Sequence, residues 1–137
     1  MNPAIKDASL KVTRALPAST TAVTSTSIDT GKGSRGDQPG SVEFLLSAPV
    51  VTTAQLPDAK TFTYKIIHSD NADLSSPADL ILSAIVQTGA GAAGAAAATY
   101  KFRLPTGAKR YLGFVVTPSA SGTGDASGAS STLEALF

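Results

Sequence analysis

Thr99-Tyr100-Lys101-Phe102-Arg103-Leu104-Pro105-Thr106-Gly107-Ala108-Lys109-Arg110-Tyr111-Leu112-Gly113-Phe114-Val115-Val116-Thr117 is the stretch whose reading decides the fold class. Tyr100, Phe102 and Leu104 alternate with Lys101 and Arg103, the period of two expected of a strand with one dry face and one wet face. Pro105 suits the second position of a type I turn and Gly107 the fourth. Lys109 to Val116 then reads as a returning strand, stopped by Pro118. The stretch predicts a β-hairpin, and with it a chain built from antiparallel β-structure.

The same signals recur on both sides. Upstream, Thr20–Thr30 is rich in β-branched residues and predicts a first strand. Residues 31–40 hold four glycines and a proline and read as a solvated loop. Ser41–Ser47 predicts a strand with Val42, Phe44 and Leu46 on one face, and Val50–Thr53 a short extended piece. Lys60–His68 sets Phe62, Tyr64 and Ile66 against Thr61, Thr63 and Lys65. Ser69–Asp79 is a turn cluster, and Leu80–Gln87 is apolar almost throughout, as a strand inside a sandwich would be. Gly89–Ala98 has three glycines, each costing ~1 kcal/mol in a helix, so it reads as a mobile loop between strands. A Ser/Gly loop over 118–129 and a last strand over Ser130–Phe137 complete the chain. Short strands separated by turn signals, with no strand alternating with a long helix, predict an all-β antiparallel sandwich or barrel.

A length of 137 residues corresponds to one domain. The expected division is an N-terminal arm over 1–19, with room for a short strand but no usable apolar period and no part in the compact core, and a single β-sandwich domain over 20–137. Alanine dominates the apolar set, with five Phe, three Tyr and no Trp. Such a composition predicts a thin core and makes added stabilisation by self-association an expectation. Eleven basic and ten acidic residues leave a net charge of +1, a balance that predicts binding neither to nucleic acid nor to an acidic membrane. No apolar run approaches the ~20 residues of a membrane helix. Met1–Leu16 has no apolar core of a secretory signal, so the chain is expected to stay in the compartment that makes it.

The inventory of reactive groups is short. With no cysteine there is neither a disulfide nor a thiolate metal site. His68, the one histidine, has no second imidazole to share a metal with and reads as a surface or strand-end residue. No Ser lies in a Gly-x-Ser-x-Gly elbow. Asp37, Asp58, Asp70, Asp73 and Asp125 fall in expected loops, where turn-making is the plainer role. Gly89-Ala90-Gly91-Ala92-Ala93-Gly94 has the spacing of a dinucleotide loop but lacks its βαβ setting. Arg35-Gly36-Asp37 is an adhesion-type tripeptide without a secretion signal. Lys101, Arg103, Lys109 and Arg110 could form a small basic patch, although solvated strand faces with cross-strand charge pairs explain them more simply. No enzyme activity, metal or cofactor is expected.

Two segments carry a resemblance. Asp70-Asn71-Ala72-Asp73-Leu74-Ser75-Ser76-Pro77, leading into Leu80–Val86, and Leu104-Pro105-Thr106-Gly107-Ala108-Lys109-Arg110-Tyr111-Leu112 are similar to turns of the capsid cement (decoration) proteins of tailed bacteriophages. The likeness spans residues 20–137. It implies a jelly-roll-like β-sandwich that forms homotrimers, sits on the outer capsid surface of the virion, bridges adjacent major capsid protein subunits and catalyses nothing. On that reading Lys6, Lys11 and Arg14, the cations of the arm, are the expected capsid contacts, pairing with capsid carboxylates. A carbohydrate-binding β-sandwich and a tail or neck structural protein are the alternatives. The first is poorly served by a chain with no Trp for a sugar platform.

Overall fold

The computed structural model describes residues 10–30, 42–119 and 124–136. Among these residues nine strands follow in chain order: β1 (Lys11–Ala15), β2 (Val23–Thr24), β3 (Ile28–Asp29), β4 (Glu43–Ala48), β5 (Thr61–Ser69), β6 (Ala78–Thr88), β7 (Ala98–Arg103), β8 (Tyr111–Pro118) and β9 (Ser130–Leu136). They make two antiparallel sheets, β1-β9-β4-β7 and β2-β8-β5-β6, with β3 also on β8. The fold is the all-β sandwich that the sequence predicts.

One pattern generates the strand order. β5 and β6 are consecutive and pair directly, with the chain reversing between Ser69 and Ala78. Outward from that reversal, β4 pairs with β7, β2 and β3 pair with β8, and β1 pairs with β9. The chain is thus a long two-stranded ribbon whose tip lies at residues 70–77. Rolling the ribbon sets β8 against β5 and β9 against β4, which divides it into two sheets. This is the winding of a jelly roll.

The winding corrects the reading of 99–117. β7 and β8 are strands at nearly the expected positions, but they lie in different sheets and do not form a hairpin. Residues 104–110 cross the end of the sandwich instead, and Leu104 and Ala108 are buried in the core as they pass. The turn itself is present one residue later than expected, with the Ala108 N–H donating to the Pro105 carbonyl at 3.0 Å. Alternation reports which face of a strand is dry. It carries no information about the strand's neighbour.

Three further expectations change. Residues 11–15 are not an arm: they form the edge strand β1, in register from Lys11↔Glu134 to Ala15↔Ser130. Val12 and Leu16 enter the core; two inward apolar positions were too few to show a period. β6 is an edge strand, not an interior one, and Leu82 and Val86 are 67% and 53% exposed. Its pairing with β5 slips twice, between Tyr64 and Ile66 and between Ile66 and Ile67. Such bulges twist a long edge away from a partner strand. The single strand expected over 20–30 is two short pieces. Between them Ser25 takes part in the ladder with its side chain, its hydroxyl accepting the Phe114 N–H at 3.0 Å. The four remaining arm and loop readings, on residues 1–9, 31–41, 120–123 and 137, lie outside the described residues.

The core between the sheets is built on Phe44, Phe62, Tyr64, Phe102 and Phe114 with Leu46, Ile66, Leu112, Val116 and Leu133. Phe44 and Phe102 face each other across β4 and β7, their rings stacked at 5.7 Å. Lys101 and Arg103 project from the opposite face of β7 toward Glu43, at 3.9 and 3.8 Å. Burial of a core Phe makes Phe114→Ala cost ~3–5 kcal/mol, so its urea midpoint should drop sharply. Lys101→Ala removes only an exposed, long ion pair and should leave the midpoint nearly unchanged. Equal shifts in the two variants would refute this assignment of faces.

Candidate functional site

The residues singled out in the sequence do not converge. Lys6 lies outside the described residues, as does Arg35-Gly36-Asp37. Lys11 and Arg14 are both exposed on β1, but three residues apart on a strand they point to opposite faces of the sheet. The proposed basic patch is divided between β7, which carries Lys101 and Arg103, and the connector before β8, which carries Lys109 and Arg110. Each of its members has a carboxylate within reach: Glu43 for Lys101 and Arg103, Asp70 for Lys109 at 3.7 Å, and Asp29 for Arg110. The Arg110–Asp29 pair is two-pronged, with both hydrogen bonds 2.8 Å, and the guanidinium also lies 5.3 Å from the centre of the Tyr111 ring. Paired charges on wet strand faces are the plainer alternative weighed from the sequence.

The loop acids build turns. The Asp73 carboxylate accepts from the side chain and backbone N–H of Ser75, which hold it below the usual carboxylate range. Asp125 is lowered in the same way by the Ser127 hydroxyl and N–H. His68 is buried near the end of β5, not on the surface. No group of three or more His, Cys, Asp or Glu residues is placed to hold a metal among the described residues.

What the winding does assemble is an apolar groove along the side of the sandwich where β6 and β7 are the edges. It has a volume of about 590 Å³ and is lined by Val50, Val86, Thr88 and a run of small residues from Ala90 to Ala98. Val50 is 65% exposed and Val86 53%. No charged side chain lines the groove.

The Gly/Ala segment that walls it is tied down. Val51 and Ala95 exchange two backbone hydrogen bonds of 3.0 Å, the Ala90 N–H donates to the Gly94 carbonyl at 2.9 Å, and the Gly91 N–H donates to the Asp58 carboxylate at 2.7 Å. Gly94 has φ +67° and lies so close to the backbone at Val51 and Thr52 that any Cβ would collide with it. This glycine lets two segments touch; it does not serve a phosphate.

A buried polar cluster fixes the floor. The Tyr64 hydroxyl donates to Gln87 Oε1 at 2.7 Å, and Gln87 Nε2 donates to the carbonyls of Pro49 and Ala96 at 2.7 and 2.9 Å. One amide therefore pins both connectors that enter and leave the groove. Burial pushes the Tyr64 phenol up to about 12, opposed in part by the Ser131 side chain nearby on the other sheet. The Ser131 hydroxyl itself is buried and completes no hydrogen bond of good geometry among the described residues.

The groove was not legible in the sequence. Its residues come from two segments, Val50 and the stretch 86–98, and Gln87 looked like the polar end of an apolar strand. One signal was present: the apolar run over 80–87 offers more apolar positions than a strand with one buried face needs.

No protein-family model matches the chain, and a comparison with curated proteins finds no match.

Because Tyr64 holds its proton up to about 12 when folded and ionises near 10 when unfolded, the unfolded state loses that proton first as pH rises. Its contribution is complete below pH ~10 and declines through pH ~12, by roughly 2–3 kcal/mol in all. Tyr64→Phe should therefore flatten the alkaline fall in stability, measured by urea denaturation between pH 9 and 12 (~ range set by the two ionisations). An unchanged slope would show that other groups cause the fall.

Proposed function

We propose that this chain is a structural, non-catalytic virion protein that docks on the outer surface of a tailed-phage capsid and bridges adjacent major capsid protein subunits as a homotrimer. The observation that carries the reading is the exposed, uncharged Val/Ala groove on one edge of the jelly roll. Contiguous apolar surface on a soluble domain marks a contact surface. Small side chains allow another backbone to approach closely, and the groove wall is held by the Gln87 amide and the Val51–Ala95 pair. A preorganised wall reduces the ordering cost of binding. Repeated copies on a lattice then add avidity to a modest single contact.

The partner class comes from the sequence resemblance at residues 70–77 and 104–112. Lys11 and Arg14, exposed on the opposite edge strand, together with Lys6, are the proposed partners of capsid carboxylates. The three tyrosines weigh against a glycan platform. Tyr64 is buried, Tyr100 leans on Phe102 with ring centres 6.1 Å apart, and Tyr111 lies under the Arg110 guanidinium.

Electron microscopy of particles made with and without this chain should show extra density on the outside of the shell only when it is present. Val86→Asp puts a charge into the groove at an exposed position, so the domain should stay folded while occupancy on the shell falls. Unchanged decoration by that variant would move the contact surface elsewhere, and particles identical with and without the chain would overturn the reading. In solution the protein should sediment as a trimer, and a stable monomer of 13.8 kDa would refute the trimer.

A further inference from the structure

We propose that His68 is a pH-sensitive latch: its neutral imidazole holds the sheet-crossing connector 104–110 closed, and protonation releases it. The inference is independent of the docking role.

His68 lies on β5, opposite Leu112 of β8 and Ala78 of β6, and follows the inward alternation of Phe62, Tyr64 and Ile66. It is 9% exposed. Its Nδ1 accepts the backbone N–H of Lys109 at 3.1 Å. A nitrogen that accepts carries no proton, so the neutral ring present here has its hydrogen on Nε2. In the imidazolium both nitrogens are donors. Nδ1–H would then face the Lys109 N–H, the hydrogen bond would be lost, and an amide near the core would have no acceptor.

Among the described residues, the charged and titratable groups on the surrounding elements pair with one another. Asp70, two residues along the chain, pairs with the Lys109 ammonium at 3.7 Å. Arg110 is held by Asp29 of β3, Asp79 on β6 pairs with Lys65 at 2.9 Å, and Glu43 across the sandwich faces Lys101 and Arg103. Tyr111 stands opposite Ser69. An added charge on His68 arrives beside the Lys109 backbone, and Asp70, two residues away in sequence, is largely exposed and shared with the Lys109 ammonium.

The opening is local. The downstream end of the connector is fastened separately, because the Thr30 N–H and hydroxyl both donate to the Arg110 carbonyl at 3.0 and 2.6 Å. What the latch controls is the Pro105–Lys109 turn that carries Ala108 into the end of the core. Opening lets the ring take up a proton at Nδ1, which the closed connector excludes because that nitrogen accepts the Lys109 N–H. The closed form is therefore favoured while the ring is neutral and weakens as pH falls.

Amide hydrogen exchange of the full chain, expressed as protection factors, tests this. Protection at Lys109 should hold while the ring is neutral and then fall by up to about tenfold per pH unit as the pH is lowered, while Phe114 and Leu133 in the core stay protected. His68→Asn places a carbonyl oxygen near the Nδ1 position and does not titrate, so Lys109 should stay protected across the range. His68→Phe should lose the protection at every pH. Protection independent of pH in the wild type, or the same fall in His68→Asn, would overturn the latch. A nitrogen NMR titration of the unmutated protein needs no variant to fold. It should show Nδ1 unprotonated at neutral pH and the Lys109 amide shifting together with the His68 ring. A ring that titrates without moving that amide would also overturn it.

Discussion

Ser69, Asn71, Asp73 and Ser75 turn the chain back on itself between β5 and β6, and every other strand pair is built outward from that reversal. The Ser69 hydroxyl and the Asn71 amide both donate to the Ser75 carbonyl, at 2.6 and 3.3 Å, while Asp73 takes the Ser75 N–H. These bonds hold Leu74 and Ser76 in the left-handed region, at φ 58° and 46°, a conformation that costs a non-glycine residue ~1–2 kcal/mol. The strained turn aims Leu74 back onto β8, where a Cβ on Gly113 would strike the Leu74 side chain. The Ser27 hydroxyl, donating to the Ala72 carbonyl at 2.6 Å, ties the same turn to the chain before β3. The tip of the ribbon is thereby fastened to strands already rolled beside it. Pairs farther from the tip close longer loops, from β4 with β7 out to β1 with β9, and each needs the previous one in place to limit its entropy cost.

Rolling a ribbon into two sheets leaves edges, and the edges differ. β2 and β3 have two residues each and β1 has five, which gives little template for a foreign strand. β6 has eleven residues but is bent by its two slips in register. Its protection is against strand addition, not against contact through side chains, and Leu82 and Val86 stay exposed on it. The β6/β7 side is therefore where an apolar partner can sit without drawing the protein into open-ended sheet growth.

The strands were legible in the sequence because burial on one face writes a period of two into the residues, as in Phe44 and Leu46 or Phe62, Tyr64 and Ile66. Partners were not legible, since a seven-residue link such as 104–110 can close a short turn or cross the ~10 Å between sheets equally well. That β1 belongs to the sandwich was not legible, because Arg14 occupies the inward-parity position between Val12 and Leu16, and an edge strand can let such a side chain reach solvent. β6 was misplaced for the opposite reason, its apolar residues suggesting burial on both faces where only one is covered. The candidate contact surface was hidden more deeply, because Val50, between β4 and β5, meets the stretch 86–98 only when the chain is folded. Lys6, Lys11 and Arg14 stood out as charges in an otherwise plain segment, yet Lys11 and Arg14 turn out to face opposite ways.

Nearly every connection in this winding crosses from one sheet to the other, and a crossing segment has no ladder to satisfy its backbone groups. Those groups must still be paired where they pass the core. Two side chains of the β2-β8-β5-β6 sheet supply that pairing at opposite ends of β5. Gln87, in register with Phe62, reaches the carbonyls of Pro49 and Ala96 at one end; His68, in register with Leu112, takes the Lys109 N–H at the other. Six residues of strand put these ends ~20 Å apart. The Gln87 amide does not titrate, so the groove it shapes keeps its form across the range in which His68 changes charge. The same architectural need is met at one end by a fixed group and at the other by a switchable one, which confines any response to acid to the end of the sandwich away from the groove.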